Sequence, residues 1–94
     1  MLIIAQHEIQ ETEKFWAAAK AVTESLPSGL KVHSVFPSAD MKKGTCLWEG
    51  PSVMVVQNFL DANTEGMATN FCYEVNQAAA MGAPQMAMEA ALNN

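Results

Sequence analysis

The residues of this chain that could do chemistry are His7, His33, Cys46, Cys72, Trp48 and Tyr73. An imidazole titrates near neutrality and can handle protons. Imidazole and thiolate together suit nickel, copper or zinc. Flat aromatics on alternating strand positions can stack a ligand in an apolar pocket. His33 and Cys46 form the leading pair. A hairpin turning near Asp40 sets His33 opposite Cys46 or Trp48, on one sheet face with Val35. A metal site takes three or more ligands. The candidates are His33, Cys46 and His7, with Gln6 and Glu49 as further additions. The plainer reading of the same residues is a hydrogen-bonded histidine beside a buried thiol.

Other constellations carry less. Glu49 and Glu74 could act as an acid–base pair only if held close together, and no spacing brings them together. Ser34, Ser38 and Ser52 lack a nucleophile elbow, and Ser34 follows His33 directly, so in a strand the two point to opposite faces. Gly44, Gly50 and Gly66 make no phosphate loop. Met54, Met67, Met81, Met86 and Met88 lack a regular spacing and read as adaptable packing.

The elements that must position these groups follow from the pattern. Leu2 to Ile9 reads as a central strand buried on both faces. Thr12 is a fair N-cap for a helix over 12–26, with Phe15, Ala18, Ala19, Val22 and Leu26 at helical spacing. Pro27-Ser28-Gly29 stops that helix. Leu30 to Phe36 and Gly44 to Glu49 read as a hairpin. Ser52 caps a second helix over 52–64, striped by Val55, Val56, Phe59 and Leu60. Asn70 to Val75 alternates as the last strand. The order is β-α-β-β-α-β, which with right-handed crossovers is the split βαβ, or ferredoxin-like, arrangement. The expected fold is α+β, with a four-stranded antiparallel sheet and two helices on one face. The ferredoxin-like domain spans 1–76, and 77–94 forms an Ala/Met-rich extension whose last part, Gln85 to Leu92, has high helix propensity.

Composition bounds the rest. The chain has 94 residues, 50% of them hydrophobic, and a formal net charge of −5. A domain this small buries a limited core, and a second subunit would help cover the helix-free sheet face. Lys14, Lys20, Lys31, Lys42 and Lys43 are the only basic residues besides histidine, which disfavours nucleic acid. No apolar run approaches the ~20 residues that span a bilayer. The start Met1-Leu2-Ile3-Ile4 lacks the basic region and long apolar core of a signal peptide. The expected compartment is the cytoplasm, with Cys46 and Cys72 as free thiols about 9–10 Å apart, beyond disulfide reach.

The run His33-Ser34, Ser38, Asp40, Lys43 and Cys46-Leu47-Trp48-Glu49-Gly50-Pro51-Ser52 resembles a bacterial family of small ferredoxin-like domains of unknown function. Members show a histidine–serine pair, an acidic hairpin turn, a cysteine, an aromatic, an acid and a proline–serine helix start. Some relatives are described as nickel-binding. The wider superfamily is the dimeric α/β barrel, which also holds cofactor-free monooxygenases and stress-responsive proteins. The resemblance covers about residues 2–76, and its specific part is about 33–52. It implies a homodimer. The chain departs from the family in offering Gln6-His7-Glu8 near the end of the first strand and in carrying the Ala/Met-rich tail.

The expected function is therefore a small homodimeric protein that binds a small ligand or a transition metal, with nickel the implied ion. His33, Cys46, Trp48 and Tyr73 would contact the ligand; His33, Cys46 and His7 would hold the metal. The alternative is a cofactor-free monooxygenase- or isomerase-like enzyme on the same barrel, with His33 moving the proton. A third reading is an interaction module whose inter-sheet space is filled by side chains.

Overall fold

The computed structural model describes residues 1–84. The elements are β1 (Leu2–Ile9), α1 (Thr12–Thr23), β2 (Lys31–Pro37), β3 (Lys43–Glu49), α2 (Val53–Asn63) and β4 (Ala68–Glu74). The expected order is present, and the protein is an α+β fold. All strand pairs are antiparallel, and the sheet order is β2-β3-β1-β4. The first strand lies between the third and the fourth, as the topology requires. The proposed helix over Gln85 to Leu92 lies outside the described residues.

Alternation along β1 sorts the sheet into two faces. Ile3, Ala5, His7 and Ile9 are buried, whereas Gln6 and Glu8 are exposed and Ile4 is half-buried. The strand is central, but its second face is buried only at Leu2, half-buried at Ile4 and exposed at Gln6 and Glu8, so the expected burial on both faces holds only at its start. Antiparallel partners share a face. Gly44, Cys46, Trp48, Asn70 and Cys72 therefore lie with Ile3, Ala5 and His7. Leu47, Thr45, Phe71 and Tyr73 lie with Ile4 and Gln6 on the opposite face. Both helices pack on the first face. Phe15 of α1 meets the His7 ring, and Phe59 of α2 meets Trp48. The core is Ile3, Ala5, Cys46, Trp48, Val56, Leu60 and Cys72.

The two helices are anchored differently. In α2, the Ser52 hydroxyl accepts from the Val55 N–H at 3.1 Å, the expected cap. Val56 and Leu60 are buried. In α1 the Thr12 cap does not form; Thr12 is the first helical residue, Glu11 precedes it, and no side chain caps the end. Phe15 is the one residue of α1 that is fully buried. Beside it, the Trp16 indole N–H donates to the Met41 carbonyl at 2.9 Å and ties the helix to the hairpin turn. Gly44 makes this approach possible: a Cβ there would stand 3.1 Å from the Trp16 ring and 3.6 Å from the His7 ring.

Gln57 of α2 also closes a sheet edge. Its Nε2 donates to the Asn70 carbonyl at 2.9 Å, and its Oε1 accepts from the Cys72 N–H at 2.9 Å. The side chain thus stands in for a neighbouring strand along β4, blunting an edge that would otherwise be open to pairing.

Candidate functional site

The structure divides the expected site residues between the two faces. His33 does not meet Cys46. The hairpin pairs Ser34 with Leu47 and Val35 with Cys46, but Val32 with Trp48. His33 is the extra residue between these registers, a β-bulge. The bulge turns its side chain away from Val35 and toward the open face. There its Nε2 lies 3.0 Å from Glu49 Oε1, both residues half-buried. The expected shared face of His33 and Cys46 is therefore corrected. The expected register holds beside the turn, from Pro37 to Ser34, and breaks at the bulge beyond it, which no glycine or proline signals.

His7 takes the place expected for His33. It is 3% exposed, and its Nε2 lies 3.3 Å from Cys46 Sγ. Its Nδ1 lies 2.7 Å from Asn70 Oδ1. The Asn70 amide is oriented by its own partners: Nδ2 donates to Asp61 Oδ1 at 3.0 Å and to Thr64 Oγ1 at 2.8 Å. The Thr64 hydroxyl donates in turn to the Leu60 carbonyl at 2.8 Å, leaving its lone pairs for Asn70. Asn70 Oδ1 is thus an acceptor, so His7 carries its proton on Nδ1. Nε2 is then a bare lone pair, and the Cys46 S–H is the donor that faces it. Cys46, His7, Asn70 and Asp61 form one chain of hydrogen bonds from the core to the surface of α2.

Burial sets the charge state of this chain. It pulls the His7 pKa below its ordinary value, against the weaker upward pull of the Asn70 hydrogen bond. Burial also raises the Cys46 thiol to about 11. The Trp48 side chain beside Cys46 opposes this rise, and the neighbouring Cys72 adds to it. The resting pair is a neutral thiol and a neutral imidazole. Trp48 is 2% exposed, and its Nε1 is buried without an acceptor that completes a hydrogen bond. It interacts with the Cys46 thiol as a donor, lowering the thiol's pKa against the effect of burial, without reaching full hydrogen-bond geometry. Buried donors are seldom left in this state. Cys46 and Cys72 are free thiols, on strands that flank Ala5 from either side.

The open face carries Tyr73 and the aromatic rings the sequence left unassigned. Phe71 and Tyr73 pack at a centroid separation of 6.2 Å. A groove of about 370 Å³ is lined by Gln6, Glu8, Thr45, Thr69 and Phe71 with the adjacent backbone. A second, of about 400 Å³, runs over Ile4, Leu47 and Tyr73 and is walled by Ala79, Ala80 and Met81 of the segment after β4. Trp48 is absent from this face, since it points into the core. Tyr73 and His33 are the expected ligand contacts that do lie there; Cys46 and His7 meet each other on the other side. Among the described residues no group of three or more His, Cys, Asp or Glu side chains could hold a metal ion. Asn70 and Gln57 were missed by sequence reasoning. Their only signal was a polar residue on the core face of an alternating strand and one on the stripe side of a helix.

A family model described as a domain of unknown function (DUF8652) matches residues 4–83, and the chain belongs to that family. The match includes the segment after β4. No curated protein and no solved structure matches the chain. No helix among the described residues is long and apolar enough to cross a membrane.

Proposed function

We propose that this member of the DUF8652 family is a small homodimeric protein that holds a small organic ligand between the open sheet faces of two subunits, in the manner of a ferredoxin-like dimeric α/β barrel. The observation that carries this reading is the open face itself. Phe36 and Phe71 are 65% and 62% exposed there, beside Tyr73 and the half-buried Ile4 and Leu47. Ile4, Leu47, Phe71 and Tyr73 form one apolar patch, with Phe36 set apart from it across Thr45 and Gln6, and exposed apolar surface of this kind is what a self-complementary interface buries. The two grooves beside Phe71 and Tyr73 supply the space, and the His33–Glu49 pair is a polar group on the same face, outside both grooves. The ligand is organic rather than metallic, because the imidazole–thiol pair lies on the other face. Two buried thiols fit a reducing, cytoplasmic setting.

The enzyme reading has one support of its own. A carboxylate that accepts from one ring nitrogen orients a histidine and strengthens it as a base. His33 with Glu49 has that geometry on the face where a ligand would lie.

Sedimentation velocity tests the assembly. The parent should run as a dimer at micromolar concentration and Phe71→Lys as a monomer with unchanged circular dichroism. A parent that stays monomeric, or a Phe71→Lys that stays dimeric, would remove the reading.

A further inference from the structure

The covered face holds a second constellation, independent of any dimer. We propose that Cys46, His7 and Trp48 form a nucleophilic site for short apolar acyl esters or thioesters, in which Cys46 becomes transiently acylated. Each part of an acyl-transfer centre is present in the core. Cys46 Sγ lies 3.3 Å from His7 Nε2, the nitrogen that bears a lone pair. Asn70, at 2.7 Å from Nδ1, holds that tautomer and is a positioning residue. The Trp48 N–H is buried without a geometrically complete hydrogen bond, and its nearest electrostatic partner is the Cys46 thiol itself, so a carbonyl oxygen arriving at that sulfur meets this donor. A nucleophile, a base oriented by a third group and a preorganised donor are the parts by which such sites are recognised, whatever the fold.

Access runs between α1 and β2. A groove of about 240 Å³ there is lined by Trp16, Ala19, Lys20, Thr23 and Val35. Val35 is the cross-strand partner of Cys46, so the groove lies one strand away from the thiol and does not itself reach it. Trp16, Ala19 and Val35 give it an apolar wall that suits a short aliphatic acyl chain, with Lys20 and Thr23 at its polar side. Its outer wall is α1, in which only Phe15 is fully buried; an outward shift of this helix, breaking the Trp16–Met41 hydrogen bond and lifting Phe15 from His7, would open the thiol. α2 could not shift in this way, with Val56 and Leu60 both buried.

The step balances without an external reagent besides water. Cys46 S–H gives its proton to His7 Nε2 as the S–C bond to the acyl carbon forms. The carbonyl oxygen takes the negative charge and accepts from Trp48 Nε1–H. Collapse breaks the bond to the leaving alcohol or thiol, which takes the proton from His7. Water then attacks the Cys46 thioester, with His7 again taking the proton, and releases the carboxylic acid and the free thiol. Because burial keeps both groups neutral at rest, the proton moves with the attack, as in a serine–histidine pair, rather than from a preformed thiolate.

The full chain is treated with p-nitrophenyl butyrate and with a butyryl thioester of N-acetylcysteamine, quenched in acid and peptide-mapped. The expected result is one butyryl group on Cys46. It should be absent from Cys46→Ala and retained in Cys72→Ala. Trp48→Phe removes the N–H together with the five-membered ring of a core residue, so it is read only where its circular dichroism and Cys72 protection match the parent; it should then acylate roughly 10²-fold more slowly. In Asn70→Ala, nitrogen NMR should show His7 losing its Nδ1–H tautomer while acylation slows. Four outcomes would overturn the proposal. These are no adduct on the folded parent, an adduct on Cys46 only in denaturing urea, a Trp48→Phe as fast as the parent, and label on Cys72 in preference to Cys46.

Discussion

His7 and His33 sit on opposite faces of one sheet, each with an acidic or amide oxygen within 3.0 Å, yet their surroundings differ completely. His7 is sealed under Phe15 and bonded on both nitrogens. His33 stands at a bulge near the sheet rim with one partner. The covered face spends its polar groups on one another, and among the described residues Trp48 Nε1 is its buried side-chain donor without a complete hydrogen bond. The open face leaves whole rings exposed to solvent. A buried hydrogen-bonded chain governs stability, because each broken link leaves an unsolvated polar atom. A half-buried pair governs little, because water replaces either partner.

The largest test of this contrast is His7→Ala. It opens a cavity and strands Asn70 Oδ1 and the Cys46 thiol. Urea unfolding should show a loss of ~2–4 kcal/mol. A loss under ~1 kcal/mol would mean that the network is solvated in solution.

The pH profile sharpens the comparison next. The His7 pKa is lowered in the folded state, so its contribution is intact above about 6.5, the unfolded value, and is lost as pH falls below it. The Cys46 and Cys72 pKa values are raised from 9.0 to about 11, so their contribution is intact below 9.0 and is lost as pH rises toward 11. Stability should form a plateau between these limits. At the alkaline end Cys46 alone should account for roughly 2–3 kcal/mol. Cys46→Ala should flatten that limb; a limb that stays equally steep would contradict the assigned cause.

His33→Ala should lower stability by only ~0.5–1 kcal/mol, since the pair it breaks is partly open to water. A loss as large as that of His7→Ala would erase the distinction between the faces. Phe36→Ser should change the stability of the dissociated subunit by no more than ~0.5 kcal/mol, while weakening self-association measured by sedimentation. A destabilised monomer would show that Phe36 packs within its own chain.

What the sequence determined by itself was the order and placement of the elements. Alternation in Leu2 to Ile9, the helical spacing of Val56 and Leu60, Ser52 as a cap and the turn around Asp40 all act locally, within a few residues, and local signals survive in a linear reading. The free state of the two thiols followed from topology, because a strand lies between them. Tertiary structure decided which histidine meets Cys46. One extra residue between Val32 and Ser34 turned His33 to the other face, and a bulge leaves no mark when neither glycine nor proline is present. It also decided that Thr12 would not cap α1, and that Asn70 and Gln57 would knit β4 to α2. Those partners lie far apart along the chain, and side-chain hydrogen bonds between distant elements depend on register and helix rotation, which composition and spacing do not encode.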